Sequence, residues 1–412
     1  MAKIEVRSVS KIFGRDPKRV LPLLDQGRSK AEILEETGHT VGLREISLSI
    51  EDGRTFVVMG LSGSGKSTLI RHFNRLIDPT AGEILIDGRD VLQMSKSELV
   101  DFRRHKASMV FQRFGLFPHR TVIENVAYGL SVQGVPKKAR TEKARHWIGV
   151  VGLEGYENGY PDQLSGGMQQ RVGLARALCT DPDILLMDEA FSALDPLIRT
   201  GMQDMLIDLQ RQLHKTIVFI THDLDEALRL GDRIAILKDG ALVQVGGPEE
   251  ILLEPADDYV ADFVKDVNRT RVITAGTVAI RAPVRVFNDD SPTATLAQIR
   301  RSGRGIAYVV DRERRLKGII TAEGAERVAQ TGVAGFDDHL EEVPTIGPGT
   351  VLSDILPLAV RSDWPIAVVE EDGTLIGVVP RREVIAAIAD TAAETRAEPA
   401  TQPEAARAKP AA

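Results

Sequence analysis

The stretch from Phe56 to Thr68 constrains the fold of this chain more than any other. A short apolar run rich in β-branched residues ends at Gly60, a glycine-punctuated turn follows, and the apolar periodicity of a helix begins near Leu69. The turn carries the pattern G-x-x-x-x-G-K-[ST] from Gly60 to Ser67. A strand, a glycine-rich turn and a helix in this order predict an α/β domain that binds the phosphates of a nucleoside triphosphate.

The residue types in this turn suit a phosphate site. Glycines allow successive backbone N–H groups to converge on phosphate oxygens, and a helix that begins near Lys66 adds the positive end of its dipole. Lys66 can reach the outer phosphates, and the Ser67 hydroxyl can ligate Mg²⁺. The alternative is an ordinary Gly/Ser-rich connection between a strand and a helix. The residues predicted to contact the nucleotide here are Gly60, Ser62, Gly63, Ser64, Gly65, Lys66, Ser67 and Thr68.

Length and composition limit the class of protein. A chain of 412 residues predicts two or three domains, and 43% hydrophobic with 27% charged residues is typical of a soluble globular protein. No apolar run approaches the roughly 18 residues needed to cross a bilayer, and the first residues show no apolar signal-peptide region. The net charge of −7 argues against a nucleic-acid-binding surface. The single Cys179 cannot form an internal disulfide, which fits a reducing cytoplasm.

A second group of candidate nucleotide-binding and catalytic residues begins at Ser165-Gly166-Gly167, where a helical pattern starts. Free N–H groups and a hydroxyl at a helix N-terminus can bind an anion, although the same triplet also simply starts helices. About twenty residues on, the continuous apolar run 184–187 predicts a strand buried on both faces. It ends in Asp188, which can hold Mg²⁺ through water, and Glu189, which can polarise an attacking water.

Two further polar residues follow β-rich runs. Gln112 comes after the run 106–111, and His222 comes after the buried run 216–221. Because ligands of open α/β sheets bind at the carboxyl ends of the strands, we expect Gln112, Asp188 and His222 to converge on one edge of the sheet. Phe13 ends an alternating strand pattern near the N-terminus and either stacks on an adenine ring or packs in the core.

The pattern changes along the chain predict its organisation. Residues 16–41 form a short helical insertion on the surface, and a helical subdomain of about 115–175 interrupts the α/β core. Residues 306–329 and 365–389 repeat a strand–turn–strand–helix pattern at an offset of about 59 residues. The predicted parts are a nucleotide-binding domain at 1–265, a linker at 266–281, a repeat module at 282–390 and a disordered tail at 391–412, which has few large apolar residues.

These motifs in this order resemble the ATP-binding subunits of ATP-binding-cassette (ABC) transporters. The matching segments are Gly60–Thr68 (Walker A), Gln112 (Q-loop), Leu164–Gln169 (signature motif), Ile184–Glu189 (Walker B), Ser192–Asp195 (D-loop) and His222 (switch histidine). The resemblance implies a P-loop NTPase (ABC ATPase) fold of class α/β, with ATP and Mg²⁺ as cofactors. It also gives Phe13 the place of the adenine-stacking aromatic residue, and the run that follows His222 is typical of importers.

The resemblance is closer to the glycine betaine/proline betaine (quaternary amine) uptake ATPases. The insertion at 16–41, the phrase from Asp188 to Arg199 and the C-terminal extension carry it, and the repeat resembles a tandem CBS pair, an α+β module. It implies that two copies pair head to tail and sandwich two ATP molecules between Walker A of one copy and Ser165–Gly167 of the other. The implied catalytic residues are Lys66, Gln112, Glu189 and His222, and the implied Mg²⁺ ligands are Ser67, Gln112 and Asp188.

The same resemblance implies partners and a location. It implies an integral-membrane permease subunit and a substrate-binding protein in separate chains, a homodimer of ATPase subunits and a peripheral position on the cytoplasmic face of the inner or plasma membrane. The exposed apolar stretch after Gln112, through Phe117 and Pro118, either faces the permease or packs in the core. The alternatives are an importer for choline or carnitine, and a soluble ABC ATPase that acts on ribosomes or DNA.

A basic run marks the C-terminal module. It comprises Arg300, Arg301, Arg304, Arg312, Arg314, Arg315 and Lys317. One hypothesis is a patch that meets a regulatory nucleotide or anionic lipid and is screened at high salt. The other is a solvated charged turn with Asp311 and Glu313 as partners. The sequence leaves both open.

Overall fold

The computed structural model describes residues 2–112, 115–192, 194–265, 267–331 and 335–394. The chain forms two compact units, Met1–Val264 and Lys265–Ala412, which are described in turn. Across the described residues, no helix has both the length and the apolar character that a membrane span requires.

The first unit contains ten strands and twelve α-helices within its described residues. The strands are β1 (Ala2–Phe13), β2 (Thr40–Glu51), β3 (Thr55–Met59), β4 (Ala81–Ile86), β5 (Arg89–Asp90), β6 (Ala107–Val110), β7 (Ile184–Asp188), β8 (Thr216–Ile220), β9 (Arg233–Lys238) and β10 (Ala241–Gly246). The helices are α1 (Leu21–Asp25), α2 (Lys30–Thr37), α3 (Lys66–Phe73), α4 (Lys96–His105), α5 (Val122–Val126), α6 (Tyr128–Val132), α7 (Lys137–Val150), α8 (Gly166–Cys179), α9 (Pro196–Leu213), α10 (Leu224–Leu230), α11 (Pro248–Leu253) and α12 (Asp258–Val264). Short 3₁₀ helices lie at Pro17–Val20, Val91–Gln93 and Pro161–Gln163.

Two sheets build this unit. Strands β2-β1-β4-β5 form an antiparallel sheet, and β10-β9-β3-β8-β7-β6 form a six-stranded sheet in which only β10 is antiparallel to its neighbour. Every residue of β3, β7 and β8 is buried, as their continuous apolar sequences predict. The parallel arrangement brings the carboxyl ends of β3, β6, β7 and β8 to one edge of the sheet. This edge therefore receives the phosphate loop, Gln112, Glu189 and His222 together.

Helices fill the two interruptions that the sequence predicts. Helices α1 and α2 occupy the insertion and pack on a small cluster formed by Ile12, Val20, Leu24, Ile33 and Val41. Because β2 already begins at Thr40, the helical part ends before residue 41. Helices α5 to α8, here called the helical subdomain, enclose a separate core that includes Val126, Ile148 and Val172. Helix α8 continues to Cys179, beyond the predicted limit at 175.

The second unit repeats one motif twice. Its strands are β11 (Arg285–Phe287), β12 (Ile306–Val310), β13 (Leu316–Thr321), β14 (Thr345–Ile346), β15 (Ile366–Val369) and β16 (Leu375–Val379). Its α-helices are α13 (Ala275–Val278), α14 (Pro292–Ser302), α15 (Ala322–Thr331), α16 (Leu352–Arg361) and α17 (Arg381–Glu394), and 3₁₀ helices lie at Arg269–Arg271 and Asp337–His339. The sheets β11-β12-β13 and β14-β15-β16 share one topology, so the predicted repeat and the α+β class of this module are confirmed.

The two repeats complete each other's sheets. Ile319 exchanges both backbone hydrogen bonds with Glu341, which precedes the second repeat, and Val378 does the same with Ile280, which precedes the first. Gly318 and Gly377 permit this approach, because a Cβ at either position would lie 2.8 or 2.9 Å from the carbonyl oxygen of Glu341 or Ile280. Each third strand is therefore paired on both sides, which protects a sheet edge that would otherwise be open.

Residues 267–281 differ from the predicted linker. Ile273 and Ala275 are buried in one core cluster with Leu352 and Ile355, and Ile273 accepts the backbone hydrogen bond of Leu352. The apolar residues in this segment, together with the open edge of β16 that Ile280 covers, explain why it packs. Helix α17 runs to Glu394, past the predicted start of the tail at 391, and residues 395–412 lie outside the described residues.

Candidate nucleotide site

At several positions, the backbone of the phosphate loop has a conformation or a close contact that only glycine can accommodate. Gly60, Gly63 and Gly65 have φ values of +144°, +80° and +101°. A Cβ at Gly60 would lie 2.1 Å from the Leu237 carbonyl oxygen, and one at Gly65 would lie 2.4 Å from the Gly42 carbonyl oxygen. A Cβ at Gly63 would meet nothing within 4 Å, so only its backbone conformation favours glycine. The loop therefore rests directly on the backbones of neighbouring segments.

Lys66 lies inside the loop that it follows. Its side chain is 4% exposed, and Nζ donates hydrogen bonds to the carbonyl oxygens of Gly60 (2.8 Å) and Leu61 (3.1 Å). Burial lowers the pKa of Lys66, and the nearby carboxylates of Glu189 and Asp188 oppose that shift. The ammonium group is thus held on backbone carbonyls at the centre of the loop, where the phosphate oxygens of a nucleotide can replace them as acceptors.

Asp188 is the centre of a second set of contacts. The Ser67 hydroxyl donates to Asp188 Oδ1 at 2.7 Å, and Arg71 donates to Oδ2 at 3.2 Å. Asp188 is buried at the end of β7, so these two donors compensate its charge. None of the sequence motifs includes Arg71, although it lies four residues after Ser67 and therefore on the same face of α3.

The donor set of Ser67 and Asp188 fits Mg²⁺. A hydroxyl and a carboxylate in direct contact at the N-terminus of α3 are hard oxygen ligands of the kind this ion prefers. In the part of the chain that the structure describes, no group of three or more His, Cys, Asp or Glu side chains is arranged to hold a metal. Such an ion would then depend on the phosphates of the nucleotide for further ligands, which is usual for Mg²⁺.

Glu189 brings the other expected catalytic residues together. Gln112 Nε2 donates to Glu189 Oε2 at 2.9 Å, and His222 Nδ1 lies 3.9 Å from the same oxygen. Glu189 Oε1 lies 4.0 Å from Lys66 Nζ. Lys66, Gln112 and His222 therefore lie around the carboxylate of Glu189, whereas the sequence groups Gln112 and His222 with Asp188, whose own contacts are with Ser67 and Arg71. The contact of Gln112 is with Glu189, so its role as a Mg²⁺ ligand stays a prediction.

The backbone at Glu189 is strained. Its φ of +46° places a non-glycine residue in the left-handed region, a conformation that costs of order 1–3 kcal/mol and persists only where the surrounding contacts impose it. The Glu189 N–H donates to Ile220 O at 3.1 Å, and its carbonyl accepts hydrogen bonds from the Ser192 N–H and hydroxyl. These contacts with β8 and with the following turn fix the direction in which the carboxylate leaves the strand.

The signature turn lies in the helical subdomain. Ser165 caps α8 by accepting the Met168 N–H, and Ser165 and Gly166 are exposed. Among the described residues, no hydrogen bond or ion pair joins this turn to the phosphate loop of the same chain. An exposed anion-binding turn without such a contact is suited to meeting the nucleotide of a second copy.

The D-loop is connected to the segment that carries the switch histidine. Asp195 caps α9 by accepting the Ile198 N–H at 3.1 Å. Arg199, one turn later, donates to the Leu194 carbonyl at 3.1 Å and to the Asp223 carboxylate at 3.3 Å. Arg199 thus ties the D-loop to the residue after His222. Ala193, within the predicted D-loop, lies outside the described residues.

The position of Phe13 favours one of its two alternatives. The ring is 40% exposed, so it is not a core residue, and Lys11 Nζ lies 5.2 Å from the ring centroid. The edge of the ring passes over Gly42, where a Cβ would lie only 2.7 Å from Phe13 Cε2. An exposed aromatic face beside the loop fits stacking on a base, which stays a prediction.

The insertion reaches the site through a residue that the sequence does not reveal. Lys30, at the start of α2, donates from Nζ to the Gly63 carbonyl at 3.1 Å. No local pattern marks a contact between residues so far apart in the chain. This contact gives the insertion a place beside the phosphate loop rather than on a remote surface.

The stretch after Gln112 is partly exposed. The Phe117 ring lies 4.5 Å from the Tyr128 ring, and the Arg120 guanidinium lies 5.0 Å from Phe117 and 4.7 Å from Tyr128. Arg113 and Phe114 lie outside the described residues. A neighbouring cavity of about 990 Å³ has several basic side chains in its lining, among them Arg120, Lys137, Arg140 and Arg145. Glu124 and Glu157 line the same cavity, so its lining is mixed, with more basic than acidic side chains.

Three of the seven residues in the basic run of the second unit pair with acids from other elements. Arg300 contacts Glu326 at 3.1 Å, Arg312 contacts Asp289 at 2.8 Å and Lys317 contacts Asp337 at 2.5 Å. The partners predicted within the turn are wrong for these three residues, because Asp311 instead accepts the backbone N–H of Arg315. These ion pairs favour the solvated charged turn over a free basic patch.

Comparisons with known proteins agree with this geometry. The ABC transporter family model matches residues 43–192, and the CBS domain model matches residues 338–390. The glycine betaine/carnitine transport ATP-binding protein GbuA of Listeria monocytogenes is 51% identical over 94% of this chain and 98% of its own length. The glycine betaine/proline betaine transport system ATP-binding protein ProV of Escherichia coli is 47% identical over 94% and 97%.

A solved structure extends the comparison to a bound nucleotide. A dimeric post-hydrolysis state of an ATP-binding cassette with ADP and Pi matches with a TM-score of 0.51 and 32% identity, over 60% of this chain and 98% of that one. The α/β ABC ATPase fold and the binding of ATP are thereby confirmed.

Proposed function

Since the chain belongs to the ABC transporter family of ATP-binding subunits, we propose that it hydrolyses ATP to power the uptake of glycine betaine or a closely related quaternary ammonium solute. The observation that carries this proposal is the similarity to two glycine betaine transport proteins along 94% of the chain, which includes the C-terminal unit. Carnitine, named for one of these relatives, is the second candidate substrate.

The chemistry follows from the residues around Glu189. Its carboxylate accepts the Gln112 amide and lies near His222, so it is placed to take a proton from a water that attacks the terminal phosphate. Lys66 neutralises the phosphate oxygens, and Mg²⁺ bound at Ser67 and Asp188 would stabilise their charge. His222 is exposed and can turn towards the same phosphate. The site residues Gly60–Thr68 hold the nucleotide through backbone N–H groups.

The site becomes complete when a second copy binds. Ser165 and Gly166 are exposed, Gly167 is half-buried, and within the described residues no hydrogen bond joins them to the phosphate loop of their own chain. We expect them to contact the terminal phosphate held by the partner copy. The dimeric cassette with ADP and Pi supports this arrangement.

A membrane permease is the expected main partner. The basic cavity beside Arg120 and Arg140, together with the half-exposed Phe117, suits a short helix with acidic residues from a membrane subunit. Binding there would place this chain on the cytoplasmic face of the membrane as a peripheral subunit. A separate substrate-binding protein would deliver the solute from the other side.

The C-terminal unit offers a site for an anionic regulator. A cavity of about 420 Å³ is lined by Arg281, Arg285 and Gln298 with apolar neighbours. Guanidinium groups recognise phosphate, which an adenosine nucleotide and an anionic lipid share. In the full-length chain, replacing Arg281 and Arg285 by alanine should abolish the binding of ATP, ADP or AMP to this unit, or of phosphatidylglycerol vesicles, whereas Arg312→Ala should not. Equal binding by both variants would exclude this cavity.

The function is tested with the chain reconstituted with its permease in proteoliposomes. Glu189→Gln should retain ATP binding but lower ATP turnover and uptake of radiolabelled glycine betaine about 10²-fold or more, because a general base contributes about 10²–10⁴ in rate. Glu51→Gln, an exposed carboxylate at the end of β2, serves as the matched control. Near-normal turnover in Glu189→Gln would contradict the proposal. Unlabelled carnitine, choline and proline as competitors decide the substrate.

A further inference from the structure

The insertion contacts the phosphate loop from its outer side. Lys30 Nζ donates to the Gly63 carbonyl at 3.1 Å. Because a trans peptide unit is planar, the N–H of the same unit, which belongs to Ser64, points the opposite way. This N–H lies within the loop, where it donates to the Leu61 carbonyl at 3.1 Å. Lys30 therefore contacts the outer side of a peptide group whose other side faces the nucleotide site.

The local structure fixes the position of Lys30. It is the first residue of α2, and a capping box between Ser29 and Glu32 defines the start of this helix. Ile33 lies one turn later on the same face of α2 and is fully buried in the cluster that the insertion forms with Ile12. The half-buried Lys30 side chain thus leaves a helix whose start and orientation are both determined.

A second connection joins the insertion to the next residue of the loop. Arg44 on β2 donates from Nη2 to the Leu24 carbonyl in α1 at 3.0 Å, and its backbone N–H donates to the Gly240 carbonyl at 2.7 Å. The Gly240 N–H in turn donates to the Ser64 carbonyl at 3.1 Å. The carbonyls of Gly63 and Ser64 are therefore both connected to the insertion, one directly through α2 and the other indirectly through α1.

We propose that Lys30 is a positioning residue that stabilises the phosphate-binding shape of the loop and strengthens the binding of ATP. The proposal rests on the proposed function, since it concerns the same ATP site. When ATP binds, Lys66 exchanges the carbonyls of Gly60 and Leu61 for phosphate oxygens. Lys30 keeps its bond to Gly63 on the outer side during this exchange, and its charge offsets the partial negative charge of a loop carbonyl near the bound phosphates.

The test uses the full-length chain and the variant Lys30→Met, which keeps the aliphatic stem and removes the donor and the charge. The Kd and KM for ATP should rise about 2- to 12-fold, the range expected for the loss of one hydrogen bond. Because Lys30 does not touch the reacting atoms, kcat should stay within about twofold of wild type. Lys30→Arg keeps a charged donor and should bring Kd and KM back towards the wild-type values. Kd is measured by displacement of trinitrophenyl-ATP, and KM and kcat by phosphate release.

Lys18→Met is the matched control, because Lys18 is an exposed lysine in the same insertion. It should change neither Kd nor KM. Unchanged Kd and KM in Lys30→Met would overturn the proposal, and so would a fall in kcat at constant KM or a Lys30→Arg variant that behaves like Lys30→Met. A lower Tm with unchanged Kd would assign Lys30 a structural role only and would also overturn it. The absence of glycine betaine uptake by the wild-type chain with its permease would count against the proposed function instead, since it leaves the ATP constants of these variants unaffected.

Discussion

Replacing Gly65 by alanine should damage the nucleotide site through two separable effects. The first is conformational, since φ is +101° at this position and an alanine in a left-handed conformation costs about 1–2 kcal/mol. The second is steric. A Cβ would lie 2.4 Å from the Gly42 carbonyl oxygen, whereas real Cβ contacts stay above 3.0 Å, so backbone atoms must move by 3.0 − 2.4 = 0.6 Å at least. Forced overpacking of this kind costs about 1–3 kcal/mol.

Together, the conformational and steric costs of Gly65→Ala amount to about 2–5 kcal/mol, which should lower the Tm of the first unit by roughly 5–15 °C and weaken ATP binding. Differential scanning calorimetry of the full-length chain measures the Tm, and fluorescence titration measures Kd. Gly27→Ala is the matched control, because Gly27 has φ +80° in the insertion and a Cβ there meets nothing within 4 Å. It should show the conformational cost alone. Equal Tm values for the two variants would refute the steric part of the reasoning.

Three further predictions concern other buried groups. Burial lowers the pKa of His72 from 6.5 to about 4, so the unfolded chain takes up a proton at a higher pH than the folded chain. The contribution of His72 to the free energy of unfolding is therefore complete above pH 6.5 and should be lost as the pH falls towards 4. In chemical unfolding, His72→Gln should lose less stability than the wild type over this pH range, and an equal pH dependence in the two chains would refute the prediction. Burial raises the pKa of the Cys179 thiol to about 11, so iodoacetamide at pH 8 should label this residue only after unfolding. Labelling is followed by mass spectrometry, and rapid labelling of the native chain would contradict the burial of the thiol. The Tyr308 hydroxyl donates a hydrogen bond to the Pro365 carbonyl at 2.8 Å. Tyr308→Phe should therefore lower the free energy of unfolding of the second unit by about 0.5–1.5 kcal/mol, as measured by urea unfolding. An unchanged urea midpoint would show that this hydrogen bond does not stabilise the unit.

Much of the nucleotide site could be predicted from the sequence because its determinants are local. The turn from Gly60 to Ser67 needs glycines at fixed spacing, and Asp188 and Glu189 directly follow a buried strand. Parallel strands then bring such residues to one edge whatever the details of packing. The repeat in the second unit was visible for the same reason, since each copy carries its own strand pattern.

The contacts that the sequence did not reveal join distant segments. Lys30 meets Gly63 through a side chain whose local sequence pattern resembles that of any solvated helix. The sequence of residues 266–281 predicts a linker, because its short apolar pattern does not show that Ile280 completes the sheet of β16. The acidic partners of Arg300 and Arg312 likewise come from other elements, so only the fold could identify them.

The mutual pairing of the two repeats determines how the second unit unfolds and what a truncated form of it would do. Neither three-stranded sheet is finished until residues around Ile280 and Glu341 lie against β16 and β13, so the two copies should unfold in a single cooperative transition. A nonsense mutation at or before Glu341 would remove the segment that covers the edge of β13. The exposed edge could then recruit the corresponding segment of another chain, and such a truncated protein should domain-swap or aggregate rather than persist as half of a folded unit.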